Sequence, residues 1–466
     1  MDDPLYLLDF AMPSLFDELY AEALSAAAAK DFTRAIPLYE QAITARPSSA
    51  EPYYKRANAL KDMGRLDEAI ASYDQAIERK PDYAYAFCNR GVVQHRLSLL
   101  PQALSSLDQA IALEPTDAVA HYNRALVLQD CSRWDEAVAS YDQAVAINPQ
   151  FSDAQYNRGL TLLFLGDFAR GWTGFEWRWK NSQRLAIGEL RDFSQPLWLG
   201  NEPLAGKRLL IHKEQGLGDT LQFCRYAKLA AARGATVLLE VQPSLVGLLS
   251  NVEGVARVIP AGGELPPFDY HCPLLSLPLA FKTTLDTVPA AKRYLHNDPD
   301  KVVQWRRRLG EPSRPRVGLV WSGNPNNPIE PRRAIRLADW LAHLPTRIEY
   351  YCLQKDIRTE DRIVRDSSSL IASFDSELPD FTNTAALCEC MDLVVSVDTS
   401  VAHLSAALGQ RTWVLLPAIP DWRWMRDRED TPWYPSMKLY RQKAAGDWNE
   451  VFARIGADLR REFPAT

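Results

Sequence analysis

The sequence predicts an α-helical solenoid followed by two α/β lobes, an α plus α/β fold class. Two observations give this prediction. Small and aromatic residues recur every 34 positions in the first 180 residues, a period typical of stacked helical hairpins. From Lys207 onward, short apolar runs alternate with segments of helical periodicity, which is typical of βα units.

Length and composition agree with this division. A chain of 466 residues favours two or three domains, and 47% hydrophobic with 24% charged residues is typical of globular proteins. The formal net charge of -6 argues against a general binder of nucleic acid or anionic membranes. The acidic first segment, MDDPLYLLDF, lacks the layout of a signal peptide, and no apolar run is long enough to span a membrane. We therefore expect a cytoplasmic protein.

The cysteines indicate neither disulfides nor a metal site. They are odd in number, seven, and scattered along the chain. Cys388 and Cys390 form a CxC pair without a second pair or a histidine cluster nearby. With no DxD motif either, we predict no metal and no cofactor.

The period of 34 residues resembles the tetratricopeptide (TPR) repeat, in which small residues let two helices approach closely and proline ends the second helix. We predict a TPR solenoid over residues 1–180, with four full repeats from about Phe16 to Pro149 and a divergent fifth. The fifth begins near Ser152 and departs from the pattern at Gly171, where alanine is expected. Its tail, GWTGFEWRWK, is expected to cap the solenoid and dock it on the first α/β lobe. The recurring positions are Ala35, Ala69, Ala103 and Ala137, and Pro47, Pro81, Pro115 and Pro149.

Three asparagines recur one repeat apart: Asn89, Asn123 and Asn157. Their arrangement resembles the asparagine ladder of the O-linked N-acetylglucosamine transferases, which implies amides that hold an extended peptide in the groove. The alternative is that YNRG is a structural TPR consensus.

After a turn-rich linker over residues 181–206, we predict a first lobe over 207–300 and a second over 301–466. Two consecutive α/β lobes predict a ligand cleft between them. The predicted strands are 208–212, 236–241, 255–260 and 268–273 in the first lobe, and 317–321, 349–354, 370–374, 393–397 and 412–416 in the second.

The stretch DLVVSVDTSVAHLSAALGQRTWVLLP reads as a βαβ unit. Asp398, Thr399, Ser400 and His403 follow its first strand, where a helix begins. Ligands of parallel sheets bind beyond the carboxyl ends of the strands, and helix N-termini favour anions. We predict an anion-binding site here. The alternative for His403 is a buried histidine that packs within its helix.

A second turn lies in the first lobe, in HKEQGLGDTLQFCRY. Gly216 and Gly218 allow close approach of a ligand, and Asp219 stands where a carboxylate could accept a proton. The alternative is that Asp219 caps its own helix.

Together, GLGDTLQFCRY and SVDTSVAHLSAALG resemble the heptosyltransferase-type glycosyltransferases of GT-B fold (family 9), and more closely their TPR-fused bacterial relatives, over about residues 207–445. The resemblance implies a pair of Rossmann-type lobes. It implies that Asp219 is the catalytic base and that Asp398, Thr399, Ser400 and His403 contact the sugar and diphosphate of a nucleotide-sugar donor.

Three further groups of residues are predicted to contact the donor. The resemblance implies phosphate or acceptor contacts for Ser322, Gly323 and Asn324, and a basic residue near Arg333 that neutralises the leaving diphosphate. Gln354 and Lys355 follow another strand and suit the base or phosphate. The alternatives are surface arginines for Arg332 and Arg333, and an ordinary αβ turn for Gln354 and Lys355.

We therefore expect an inverting, metal-independent glycosyltransferase that transfers sugar to a protein or peptide recruited by the TPR groove. Two alternatives stay open. One is transfer to a saccharide or lipid-linked glycan. The other is an inactive TPR scaffold that binds nucleotide sugar. The Trp-rich segment after residue 418 is expected either to contribute to the acceptor wall or to hold its loop by salt bridges.

Overall fold

The computed structural model describes residues 14–181, 191–325 and 330–464. The chain forms two compact units, Met1–Thr161 and Leu162–Thr466. The predicted start of the chain, most of the predicted linker and Asn326–Asn327 of the WSGNPNN turn lie outside the described residues.

The first unit is a series of helical hairpins. Helices pack in the consecutive pairs α1/α2, α3/α4, α5/α6 and α7/α8. The second helices begin at residues 32, 66, 100 and 134, which repeats the predicted period. The helices are α1 Leu15–Ala28, α2 Phe32–Ala45, α3 Ala50–Asp62, α4 Leu66–Arg79, α5 Ala84–Arg96, α6 Leu100–Leu113, α7 Ala118–Asp130, α8 Trp134–Ile147 and α9 Ser152–Leu165.

The repeating small residues are the ones buried between paired helices. Ala35, Ala69, Ala103 and Ala137 are fully buried. A Cβ atom at Gly91 would lie 2.7 Å from Leu107 Cγ, so α5 and α6 approach closely only with glycine here. The helical period therefore follows from close helix packing.

The fifth repeat is shortened and its second helix belongs to the second unit. This helix, α10, spans Phe168–Phe175 and continues into a 3₁₀ turn, Glu176–Trp179. A Cβ at Gly171 would lie 2.7 Å from Leu163 Cγ and 3.0 Å from the Leu163 backbone nitrogen. Glycine replaces the repeat's alanine because α9 and α10 pack more tightly than the other pairs allow.

The first lobe contains a four-stranded parallel sheet in the order β3-β2-β1-β4. Trp198, in the segment predicted as a linker, is fully buried, and its backbone N–H donates to His271 O of β4 at 2.8 Å. That part of the segment is therefore packed on the lobe. The elements are β1 Arg208–His212, β2 Thr236–Val241, β3 Val255–Pro260, β4 Tyr270–Pro273, α11 Leu217–Phe223, α12 Ala227–Ala232, α13 Val246–Leu249 and α14 Leu277–Ala280.

The second lobe contains a six-stranded parallel sheet in the order β10-β9-β8-β5-β6-β7. Counted from β5, this is the doubly wound order of dinucleotide-binding sheets. The order reverses between β5 and β8, which opens a crevice at their carboxyl ends. The strands are β5 Arg316–Val320, β6 Glu349–Cys352, β7 Ile371–Ser373, β8 Leu393–Val397, β9 Thr412–Leu416 and β10 Met437–Arg441.

The helices of this lobe are α15 Pro299–Leu309, α16 Glu330–Arg333, α17 Leu337–Leu341, α18 Thr359–Ser367, α19 Phe381–Glu389, α20 Ser400–Ala407 and α21 Trp448–Glu462. All nine predicted strands are present within two residues of their predicted ends, whereas β10 was not predicted. The helix predicted over 220–233 is interrupted by a 3₁₀ turn, Cys224–Tyr226. There Arg225 turns inward and donates to Trp433 O at 2.6 Å, which joins the first lobe to the Trp-rich segment.

Candidate functional site

The carboxyl ends of β1, β5 and β8 open on one cavity of about 530 Å³. The turn after β1 supplies Asp219, the turn after β5 supplies Gly323, and the turn after β8 supplies Asp398. Residues from both lobes therefore face each other across this space. The predicted residues that line it are Gly216, Gly218, Asp219, Gly323, Asn324, Arg333, Asp398, Thr399, Ser400 and His403.

Asp219 has two strong interactions. Its Oδ2 accepts from Gly216 N at 2.8 Å, so the carboxylate closes the first turn of α11 as a helix cap does. Its Oδ1 accepts a hydrogen bond from Arg423 Nη2 in the Trp-rich segment. Burial raises the pKa of Asp219, and the guanidinium of Arg423 opposes that rise. The carboxylate is thus oriented from two sides within the cavity.

His403 and Asp398 form the second-lobe side of the cavity. His403 Nε2 lies 3.8 Å from Asp398 Oδ1, and His403 Nδ1 is hydrogen-bonded to Tyr434 OH at 2.9 Å. Burial, with nearby arginines, holds the pKa of His403 well below its usual range, so the imidazole is neutral. Burial and the carboxylate of Asp421 raise the pKa of Asp398 to about 6. His403 is thus buried, as the alternative held, and also lines the cavity.

Arg333 is held by two neighbours. Its Nε donates to Glu330 Oε2 at 2.7 Å, and its Nη1 donates to the backbone oxygen of Asp398. Glu330 Oε1 also accepts from Gly323 N at 2.6 Å. Arg332, by contrast, is exposed and lines neither cavity described here, so its predicted donor contact is wrong. Neighbours on a four-residue helix point different ways, and only one can face the cavity.

A second cavity of about 400 Å³ adjoins the first and shares Leu217, Gly323, Asn324, Thr399 and Ser400 with it. Ser322, Gln354 and Lys355 line this second cavity. Gln354 is buried. Its Oε1 accepts from Trp321 N at 2.9 Å and its Nε2 donates to Ser322 Oγ at 3.0 Å. The Gln354 amide therefore ties the ends of β5 and β6 together, and Lys355 is the more accessible of the predicted pair.

The sequence did not single out four residues that line the first cavity. They are Gln215, Gln242, Asp421 and Arg423. Arg423 is buried, donates to Asp421 Oδ1 and Gln222 Oε1 at 2.8 Å each, and lies over the Trp422 ring at 4.5 Å. The available signal was the motif DWRW. The prediction treated its charges only as general wall or loop residues.

The three predicted groove asparagines are half-buried within the first unit. Asn89 Nδ2 donates to Tyr54 OH and Asn58 Oδ1, both at 3.0 Å, and Asn157 Nδ2 donates to Tyr122 OH at 3.0 Å. Asn123 Nδ2 instead lies 3.8 Å from Cys88 Sγ. Their amide nitrogens thus join adjacent repeats, as expected for a structural consensus.

The described ranges show neither a metal cluster nor a membrane-spanning helix. Within residues 14–181, 191–325 and 330–464, no group of three or more His, Cys, Asp or Glu side chains is arranged to hold a metal ion. No helix in those ranges combines the length and apolarity that crossing a membrane requires.

Comparison with known proteins identifies the repeats. Models described as "TPR repeat" match residues 57–98 and 130–166, and one described as "Tetratricopeptide repeat" matches 38–71. The chain is 26% identical to Protein FlbA of Caulobacter vibrioides over 327 residues, 64% of this chain and 53% of that protein. It thus spans about half the length of this curated relative.

Solved structures similar to the chain include MamA (residue 41 to its end) from Desulfovibrio magneticus RS-1, at 18% identity and TM-score 0.33, covering 39% of this chain and all of that one. Another is TTC0263, a thermophilic TPR protein in Thermus thermophilus, at 21% identity and TM-score 0.32, covering 37% of this chain and 94% of that one. From its matched repeats and its sheet topology, the chain contains N-terminal TPR repeats followed by an α/β domain with parallel sheets.

Proposed function

We propose that this chain is an inverting glycosyltransferase whose two α/β lobes form a GT-B pair. One observation supports this most directly: Asp219 of the first lobe and Asp398 of the second line a single cavity. Its volume of about 530 Å³ falls in the range of small-molecule sites.

The donor in this proposal is a nucleotide sugar that spans the two adjoining cavities. Its diphosphate lies at the N-terminus of α20, where Thr399 makes no side-chain cap and the first amides have no helical partner. Arg333 and Arg423 supply positive charge on the same cavity wall. These cations and amides neutralise the leaving group, so the proposed reaction requires no metal. The nucleoside occupies the second cavity beside Lys355.

Asp219 acts as the base in a single in-line displacement. The acceptor hydroxyl attacks the anomeric carbon, its proton passes to Asp219, and the nucleoside diphosphate leaves with inversion. The base needs only modest ground-state basicity, since the attacking hydroxyl becomes strongly acidic in the transition state.

The acceptor is a protein or peptide bound by the TPR repeats. TPR arrays present an extended concave surface that suits such partners. Since the Asn89 and Asn157 amide nitrogens are engaged within the solenoid, peptide contacts would come from their amide oxygens and from other side chains of the groove.

The first test is a thermal-shift screen of nucleotides and nucleotide sugars on the full chain, because a ligand that binds only the folded state raises the melting temperature. A nucleoside diphosphate and its sugar form should both raise it. The Asp219→Asn variant should keep that shift and lose at least about 100-fold in transfer rate. Undiminished transfer by Asp219→Asn would reject the assigned base.

A second candidate is binding of nucleotide sugar without turnover. The ion pair between Asp219 and Arg423 favours it, because a carboxylate paired with a guanidinium is a poorer base. Ligands that stabilise the wild type, combined with no transfer or hydrolysis of any donor, would favour this candidate.

A further inference from the structure

The segment Phe168–Trp179 has a buried face that the proposed function does not use. It comprises α10 and the 3₁₀ turn, and it belongs to the same compact unit as both lobes. Phe168, Trp172, Phe175 and Arg178 are all buried. A fully buried arginine needs hydrogen-bonded partners of opposite charge, which raises the question of what Arg178 holds.

Arg178 holds the start of the turn that bears Asp219. Its Nε and Nη2 donate to Glu214 Oε1 and Oε2 at 2.7 and 2.9 Å, a bidentate pair between two buried side chains. Nη2 also donates to Ser276 Oγ at 2.7 Å, and Nη1 pairs with Glu176. Bidentate arginine–carboxylate pairs fix orientation as well as distance.

Glu214 is five residues before Asp219 along one tight turn. Gln215 has φ +59°, a conformation that non-glycine residues rarely adopt, and Gly216 N then donates to Asp219 Oδ2 at 2.8 Å. A turn with such a backbone persists only when its surroundings hold it. The Glu214–Arg178 pair is the buried contact at its start.

The aromatic face of the same segment supports the residue on the other side of Asp219. The Trp172 and Phe175 rings pack on Trp422 at centroid distances of 5.3 and 5.9 Å. Trp172 Nε1 donates to Thr283 O at 2.9 Å, which fixes its ring. Trp422 in turn lies under Arg423, the partner of Asp219.

We propose that Phe168–Trp179 is a positioning element for the Asp219 site, with Arg178 as its positioning residue. Through Glu214 it fixes the turn that carries Asp219, and through Trp422 it fixes Arg423. The remnant of the fifth repeat is thus part of the site's framework. The role of Arg178 in turnover rests on the proposed function, whereas its role in setting the Asp219–Arg423 pair does not.

The test that needs no turnover measures the coupling between Asp219 and Arg423. Urea unfolding of Asp219→Asn, Arg423→Lys and the double variant gives that coupling as the departure from additivity. We expect it to fall by at least half when the cycle is repeated in an Arg178→Lys background. The matched control is Arg316→Lys, a buried arginine paired with Glu349 at the amino end of β5, away from the cavity. Equal coupling in the two backgrounds would overturn the proposal.

Turnover provides the second readout. With a donor that the wild type hydrolyses or transfers, Arg178→Lys should lower kcat at least tenfold and leave KM within threefold, while Arg316→Lys stays within twofold in kcat. Equal kcat values for the two variants, after matching their melting temperatures, would refute the positioning role. A wild type without turnover on any donor rejects the proposed function alone, and the unfolding cycle then decides this inference.

Should Arg178→Lys fail to fold, Ser276→Ala serves in both tests. It removes one acceptor of Arg178 and leaves the pair with Glu214 intact. We expect changes in the same direction and of smaller size. Coupling and kcat identical to those of the wild type in Ser276→Ala would then count against the proposal.

Discussion

Arg423 is ion-paired with Asp219, 204 positions earlier in the chain. The pair joins the Trp-rich segment after β9 to the turn after β1, so the two lobes share a charged contact inside the first cavity. A guanidinium beside a buried carboxylate favours the ionised form of that carboxylate. Arg423 therefore decides at which pH Asp219 carries a negative charge.

We predict that Arg423→Gln shifts the acidic limb of the pH–rate profile to higher pH. Removing the guanidinium leaves burial and the carboxylates of Asp421 and Glu214 to raise the pKa of Asp219, so the base ionises at higher pH. The measurement is kcat/KM against pH for donor turnover. Arg423→Lys keeps the charge and should shift the limb less. A limb at the same pH in all three proteins would contradict the role of Arg423.

Asp398 gives a stability prediction. Its pKa in the folded state is about 6 against an ordinary 3.8, so between these values the folded protein holds a proton that the unfolded chain has lost. The free energy of unfolding therefore falls as pH rises through this range. The loss amounts to at most about 3 kcal/mol, at about 1.36 kcal/mol per pH unit.

Asp398→Asn should remove that loss. Urea unfolding at about pH 4 and about pH 7 is the measurement, and the variant should gain stability relative to the wild type between these two values. A difference that is constant with pH, or that has the opposite sign, would show that Asp398 is ionised throughout.

Gly218 is where α11 and α20 approach closely beside the site. A Cβ there would lie 2.9 Å from His403 Cδ2 and 3.6 Å from Ser400 Cα. We predict that Gly218→Ala lowers the free energy of unfolding by about 1–3 kcal/mol, as overpacking does, and weakens nucleotide binding at least tenfold. Adding His403→Ala removes the clash and should recover stability. Additive losses in the double variant would mean that the two residues do not meet.

Arg333 and Arg332 form a matched pair for donor binding. Arg333 lines the first cavity and contacts the Asp398 backbone, whereas Arg332 is exposed. We predict that Arg333→Gln weakens binding of a nucleoside diphosphate at least tenfold by calorimetry, because a hydrogen bond to a charged group is worth about 1.5–3 kcal/mol. Arg332→Gln should change it less than twofold. Equal effects of both variants would indicate a general surface charge effect.

The repeat asparagines separate folding from peptide binding. Asn89 Nδ2 donates to two oxygens at 3.0 Å, whereas Asn123 Nδ2 has a sulfur at 3.8 Å. Asn89→Ala should therefore cost roughly 1–2 kcal/mol of solenoid stability, and Asn123→Ala about half of that. Thermal unfolding by circular dichroism measures both. Equal losses would show that these hydrogen bonds contribute little.

The sequence alone determined the helical period, the strands and the turns at which ligands could bind. Alanines and glycines 34 positions apart report close helix packing, and Val-rich runs such as Leu393–Val397 report strands buried on both faces. These are local patterns, and the physics that produces them acts over a few residues. The glycines and Asp219 after β1, and Asp398 after β8, were found for the same reason.

Only the tertiary structure decided which side chains meet. Arg423 and Asp421 reach the cavity because the Trp-rich segment folds back over α11, and no local pattern encodes that path. Arg333 and Arg332 are equivalent in sequence, and helix packing turns one inward. Gly171 reads as a departure from the repeat, yet it is required because Leu163 occupies the space of a Cβ. Contacts between distant segments depend on packing and burial, which a sequence pattern does not record.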